Sequence, residues 1–257
     1  RGSLDTKNFF RFSDEERSAL REKNNIPKDN FIIGFVFRNQ LRKSVPNILD
    51  GFKKFQNKNP QVKAKLLLHT HWSEGWNIPE FLREKNINSN DILTTYFCSK
   101  CNSYEVRAFT GQEQNCPKCN TAKSVNTTNV SQGVSEKQLN EIYNLMDLYC
   151  HPFTSGGQEI PIQEAKLTEL ITLVTDYSCG EDNCSIESGG VPLKWSEYRE
   201  PGTQFIKAST DSDSICSEIE NVYKMDQTTK REIEKISRQW AIDNFSIEVI
   251  GKQLEDI

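Results

Sequence analysis

No stretch of this sequence approaches the roughly 20 consecutive apolar residues needed to cross a bilayer. The opening, RGSLDTKNFF, lacks the apolar core of a signal peptide. A soluble protein without a membrane span is therefore expected. A net charge of -4 over 257 residues leaves no general surplus of cations, which disfavours non-specific binding to nucleic acid but allows a local basic patch. No repeat or low-complexity tract is present, and histidine is confined to His69, His71 and His151. No cysteine has a visible base partner for nucleophilic catalysis. The first residue is Arg rather than Met, so the chain is expected to be a fragment. With 35% hydrophobic residues it can form one large domain or two small ones, with a core that needs no staples.

What the chain does have is eight cysteines, four of them ordered. Cys98 and Cys101 form CSKC, Cys116 and Cys119 form CPKC, and 14 residues separate the two pairs. That array suits four thiolates placed tetrahedrally around one Zn²⁺. Two disulfides or four free thiols are the alternative. The spacer, NSYEVRAFTGQEQN, has alternating β-favouring residues around Gly111 and suits the hairpin of a zinc ribbon. With all four ligand positions taken by Cys, no position is open for a catalytic water, so the metal is read as structural. Cys150 reads as a small buried hydrophobe. Cys179 and Cys184 flank a loop and are close enough in sequence to pair, but a thiolate zinc site points to a reducing, cytoplasmic setting.

Outside this array, strands alternate with helices. FIIGFVF (31–37) reads as a strand buried on both faces, and behind it Val45, Ile48, Leu49, Phe52 and Phe55 keep helical spacing after a Ser44 cap. AKLLLHT (strand), IPEFLREKN (helix) and DILTTYF (strand) lead to the ribbon. SEKQLNEIYNLMD follows, opening with a Ser135–Gln138 capping box. LYCHPF, IPIQEAKLTEL, ITLVTD and a final pair of helices complete the order. This alternation predicts an α/β fold, a Rossmann-like parallel sheet with helices on both faces. The ribbon is expected to interrupt one crossover and hang off the sheet as a separate module.

Ligands of such sheets bind beyond the carboxyl ends of the strands. Three loops there carry chemistry. FRNQLRKS puts Arg38, Arg42 and Lys43 before a helix N-terminus, which suits a phosphate or diphosphate. PFTSGGQEIPIQEA has Ser155, Gly156 and Gly157 just before a helix beginning near Ile160 or Pro161. Its glycines let backbone approach a ligand closely, and Glu164, one turn in, can accept from hydroxyls such as a sugar's. TDYSCGEDN ends a strand at Asp176 and reads equally as an ordinary connection. His69 and His71 end a strand on the ligand side, either touching a ligand or serving as hydrogen-bonded strand ends. Trp72 and Trp76 either flank a ligand or pack under a loop.

In order, these segments resemble the C-terminal, donor-binding domain of retaining GT-B glycosyltransferases of the group 1 type. That family runs from an opening Gly-Val-Asp segment through strand-G-R-x4-K, a V-S-x-x-x-L helix, P-S-x-x-E-G-x-G-x-P-x-x-E-A and strand-T-D to a helix containing F-S. Matching stretches here are GSLDTKNFF (2–10), FRNQLRK (37–43), GVSEKQLNEIYNLMDLYCHPF (133–153), IPIQEA (160–165), LVTD (173–176) and WAIDNFSIEVI (240–250). They take in nearly everything outside the ribbon.

The resemblance implies transfer of a sugar from a nucleotide-sugar donor to an acceptor with retention. Arg38 and Lys43 fall on the pair that holds the donor diphosphate and supports its departure, an electrostatic role. Glu164 falls on the second glutamate of the family's E-x7-E motif, which accepts from the ribose. The first glutamate is missing, because that position is Gly156. Glu159 lies nearby and is a candidate substitute. Gly156, Gly157, Glu159, Glu164 and His69 thus form the expected donor-binding set, and Cys98, Cys101, Cys116 and Cys119 the metal set. The implied division is a linker-like segment at 1–12, a nucleotide-sugar-binding domain at 13–97 and 131–257, and a ribbon insertion at 98–130. An acceptor-binding domain is expected upstream, outside this chain, so the piece alone should bind nucleotide without turnover. The alternative is a catalytically impaired GT-B-like scaffold whose ribbon contacts protein or nucleic acid. For nucleic acid the ribbon offers Lys100, Lys118, Lys123, Tyr104 and Phe109, diluted by Glu105 and Glu113.

Overall fold

The structure is a computed structural model in which residues 2–129 and 132–255 are described. The expected domain limits at 1, 130, 131 and 257 lie outside those residues. Six parallel strands form the body of an eight-stranded sheet: β1 (Phe31–Val36), β2 (Ala64–His69), β3 (Ile92–Cys98), β6 (Leu148–His151), β7 (Thr172–Thr175) and β8 (Gly190–Leu193). They lie in the order β3-β2-β1-β6-β7-β8. β1 holds the centre because its residues alternate between two cores. Phe31, Ile33 and Phe35 face one side and Ile32 and Val36 the other, all buried. Gly34 is required there, since a Cβ would lie 2.0 Å from Sδ of Met146.

The first core lies under α2 (Val45–Lys58), α3 (Ile78–Glu84) and α6 (Ser212–Lys224). All five stripe residues of α2 are fully buried, each contributing roughly 1.5–3 kcal/mol. Ser44 stands at the N-cap as expected, but its side chain makes no capping bond. Its N–H bonds Pro152 O at 3.3 Å and its ψ of 58° departs from the extended cap geometry, because the loop is fastened to the exit of β6. The second core lies under α1 (Asp14–Lys23), α4 (Glu136–Asn144), α5 (Ile160–Leu167) and α7 (Gln227–Phe245). α4 opens with the expected Ser135–Gln138 box, and Ser13 and Glu16 build the same device on α1, a helix absent from the sequence reading.

Three helices rather than two close the chain, because Ser246 leaves helical geometry between α7 and α8 (Ile247–Glu255). β8 was also unforeseen; Pro192 lacks an N–H to donate and is tolerated at the sheet edge. β9 (Trp195–Arg199) and β10 (Ile206–Thr210) form a separate hairpin beside it. Among the described residues no helix is long and apolar enough to cross a membrane.

The ribbon does not hang free. β3 runs seven residues, pairing with β2 through Ile92–Thr94 and continuing to Cys98. β4 (Tyr104–Ala108) returns antiparallel along one side of it, and β5 (Val125–Thr127) pairs with Tyr96–Cys98 on the other, past the end of β2. The spacer therefore does not fold back on itself as a hairpin. Its strand joins the main sheet, and Gln114 bridges to Val125.

Candidate functional site

β1 has β2 on one side and β6 on the other, so successive connections leave it in opposite directions and the carboxyl ends of these strands open a crevice. A cavity of about 440 Å³ lies there. Arg38 and Asn39 line it from the end of β1, His69, His71 and Glu74 from the end of β2 and the loop after it, and Pro161 and Glu164 from α5. A larger concavity, about 600 Å³, lies at the amino ends of β1 and β2, where Lys63 and Lys65 are already paired with Asp29 and Asp91.

Within the crevice the expected residues separate into two groups. Arg38, His69 and Glu164 face the cavity. The Arg38 side chain is 56% exposed, with Nε 3.5 Å from Glu74 Oε2. Glu164 accepts from the Tyr143 hydroxyl at 2.7 Å, and burial pushes its carboxyl up to about 7. Such a group can accept or donate near neutral pH. His69 has Thr95 Oγ1 2.9 Å from Nδ1 and Thr128 Oγ1 3.4 Å from Nε2, and burial pushes its pKa down to about 4. His71 donates from Nδ1 to Thr127 O at 3.1 Å.

Lys43 belongs to the second group. The residue is 2% exposed, and its ammonium bonds the Glu159 carboxylate, with His151 Nε2 at 3.2 Å. Arg42 bonds the same carboxylate from outside. Tyr149 donates its hydroxyl proton to Val36 O at 3.1 Å and therefore accepts from His151 Nδ1 at 2.8 Å. That leaves His151 Nε2 as an acceptor for Lys43. Burial, then the Lys43 charge, push His151 down to about 4, so it is neutral at pH 7. Burial pushes Lys43 down to about 8 against the attraction of Glu159. Burial alone would raise the Glu159 carboxyl, but its contacts with His151, which is cationic at the acid pH where Glu159 takes up its proton, and with Lys43 reverse this and hold it well below the usual carboxylate range. Two cations against one carboxylate leave this cluster with a charge of +1.

Gly156 and Glu159 are linked by volume. A Cβ on Gly156 would lie 2.6 Å from Glu159 Oε1, whereas one on Gly157 would meet nothing. Ser155 Oγ accepts from Lys207 at 2.8 Å. Asp176 lies beside Trp195 and Cys184 rather than at the cavity. Neither Trp72 nor Trp76 lines it. Trp72 is buried, stacked on Phe109 with ring centroids 4.0 Å apart, and Trp76 donates from Nε1 to Lys43 O at 2.7 Å. Of the ribbon aromatics weighed for nucleic acid, Tyr104 is buried and Phe109 packs against the sheet. Sequence reasoning missed Thr128, Asn129 and Glu74, which carry no local pattern. It missed Tyr149 too, although Tyr149 and His151 stand at strand spacing.

The four knuckle cysteines converge, with their Sγ atoms within 4.8 Å of one another. Cys98–Cys119 and Cys101–Cys116 are 3.8 and 3.7 Å apart. Tetrahedral bonds of about 2.3 Å to a zinc ion require sulfurs about 3.8 Å apart, so the set fits that metal. All eight cysteines are free thiols, and Cys179 and Cys184 are unpaired.

No protein-family model and no curated protein matches this sequence. Solved structures do. A glycosyltransferase from Rickettsia africae superposes with TM-score 0.65 at 14% identity, over 100% of this chain and 55% of its own. The C-terminal domain of a group 1 glycosyl transferase from Francisella tularensis gives 0.61 at 12%, over 95% of this chain and 99% of its own. The fold is that of a GT-B C-terminal domain. The Anabaena protein HepE, solved with UDP and glucose, gives 0.65 at 13%, over 99% of this chain and 54% of its own. This GT-B domain thus spans about half the length of the two longer relatives and almost all of the domain-sized one.

Proposed function

We propose that this chain is the donor-binding half of a glycosyltransferase that moves a sugar from a nucleotide sugar to an acceptor with retention. The observation that carries the reading is the crevice beside β1, where Arg38 and Glu164 face one cavity at the amino end of α5. In this reading Arg38 and the +1 cluster of Lys43, Arg42 and Glu159 hold the donor diphosphate and stabilise the charge that develops as it leaves. Glu164 accepts from the ribose hydroxyls, His69 lines the pocket, and the backbone at Gly156 and Gly157 approaches the ligand. Glu159 takes the place of the acid missing at position 156, its carboxylate filling the space a side chain there would need. HepE, of the same fold, was solved with UDP and glucose, which supports the donor class. The four thiolates hold a structural Zn²⁺. The acceptor site belongs to an upstream domain, as the half-length coverage of larger relatives suggests, and the domain alone has no turnover.

Calorimetry with UDP, GDP, ADP and their glucose conjugates tests this. Micromolar binding of one series, lost in Arg38→Ala, is expected; no binding by any of them sinks the proposal. A second reading, a GT-B-like scaffold without turnover, draws on the engagement of Lys43 by Glu159 and the absence of an acid at 156. It predicts a chain that binds a partner through the ribbon and ignores nucleotides.

A further inference from the structure

The ribbon and the crevice are joined by a continuous set of contacts. Gln112, in the spacer between the two cysteine pairs, donates from Nε2 to Thr127 Oγ1 at 2.6 Å and accepts from Thr127 N–H at 2.8 Å. Thr127, on the strand that leaves the second knuckle, accepts at its carbonyl from His71 and at its hydroxyl from Trp72 N–H at 3.2 Å. Phe109 stacks on Trp72 at an interplanar angle of 9°. The next two residues, Thr128 and Asn129, line the cavity, and Thr128 also reaches His69. One wall of the crevice is therefore built by the segment that closes the metal site.

This wall offers the Thr128 hydroxyl and the Asn129 amide, next to the His69 imidazole at the end of β2, whereas the cations Arg38, Arg42 and Lys43 all sit on the loop after β1. Uncharged donors and acceptors suit the base and ribose of a nucleotide; fixed cations suit its phosphates. We infer that the ribbon's return segment is the nucleoside-binding wall of the cavity, held in place through Gln112 and Thr127, so that metal occupancy of the four cysteines sets nucleoside diphosphate affinity. The inference rests on the nucleotide-sugar reading and assigns the ribbon a part in it. Gln112 and Thr127 act as positioning residues, since neither needs to touch the ligand.

The test is calorimetry on the zinc-loaded chain, its chelator-stripped form and a zinc-loaded Gln112→Ala variant, each titrated with UDP, GDP, ADP and inorganic pyrophosphate. Loss of the two Gln112 bonds is expected to weaken the preferred nucleoside diphosphate about 5- to 30-fold, with pyrophosphate affinity unchanged and one zinc per chain retained. Stripping the metal should weaken the nucleotide at least as much, circular dichroism reporting whether the sheet persists. Should stripping unfold the chain, Gln112→Ala decides alone. Unchanged nucleotide affinity in Gln112→Ala overturns the inference, as does an equal loss for pyrophosphate. A wild-type chain that binds none of the nucleotides overturns the donor reading and this inference together, which separates the two failures.

Discussion

Glu159 occupies the space that a side chain at Gly156 would require, 2.6 Å separating its Oε1 from the position of a Cβ there. A side chain at position 156 and the present seat of the Glu159 carboxylate therefore exclude each other. Gly156→Ala should therefore push the carboxylate off Lys43 and Arg42 and destabilise the fold by about 1–3 kcal/mol. Urea unfolding measures this; an unchanged midpoint would mean that Glu159 yields freely.

Lys43 and Glu159 are both buried, so removing one partner strands the other. Lys43→Met is expected to cost about 3–5 kcal/mol, and Lys43→Met combined with Glu159→Leu to recover most of it. Additive losses in the double variant would show that the pair is not a unit.

Arg38 separates binding from folding. With its side chain 56% exposed, Arg38→Ala should leave stability within about 0.5 kcal/mol yet weaken nucleoside diphosphate binding roughly 10- to 100-fold. Thermal melts and calorimetry on one preparation check both halves.

Glu164 makes a pH-dependent contribution. Its folded carboxyl lies near 7, above an ordinary 4.5, so the folded state binds more protons than the unfolded between those values. Its contribution therefore falls as pH rises from 4.5 to 7. His69 and His151, both near 4 when folded, act oppositely between 4 and 6.5, so only a comparison isolates the glutamate. The stability of Glu164→Gln relative to wild type should rise from pH 4.5 to 7 and then level off. A difference that stays flat across that range would refute the burial argument.

Cys116→Ser should reduce bound zinc from one equivalent to substoichiometric, measured by elemental analysis. Amide exchange should then accelerate across 98–127 while β1 and β6 keep their protection. Full zinc retention would show that the Cys116 thiolate is not required to hold the metal.

Much of the sheet was legible because β1 and β2 are continuous apolar runs and α2 carries a five-residue stripe, signals that depend only on burial and period. The cysteine array was legible because metal geometry imposes spacing. The β9–β10 hairpin was not, since its exposed residues alternate weakly, and β8 hid behind Pro192. In the crevice, Arg38 and Glu164 could be placed by order along the chain. The Lys43–His151–Tyr149 chain of contacts could not, because it joins the loop after β1 to a strand more than 100 positions away, and no local pattern encodes such a contact. Trp72 was ambiguous for the same reason: its partner Phe109 comes from a segment whose path the spacer alone does not reveal.

β3 serves the parallel sheet with its first residues and the cysteine module with its last. Nothing between the two can act as a swivel. β4 also shields what would otherwise be an open, apolar sheet margin, the sort of border along which chains stack edge to edge. Excising the module would not restore a simpler ancestor-like domain; it would leave β3 unprotected and favour aggregation. The module thus has a second use, its strand β4 serving as the selvage of the sheet whether or not a nucleotide ever binds.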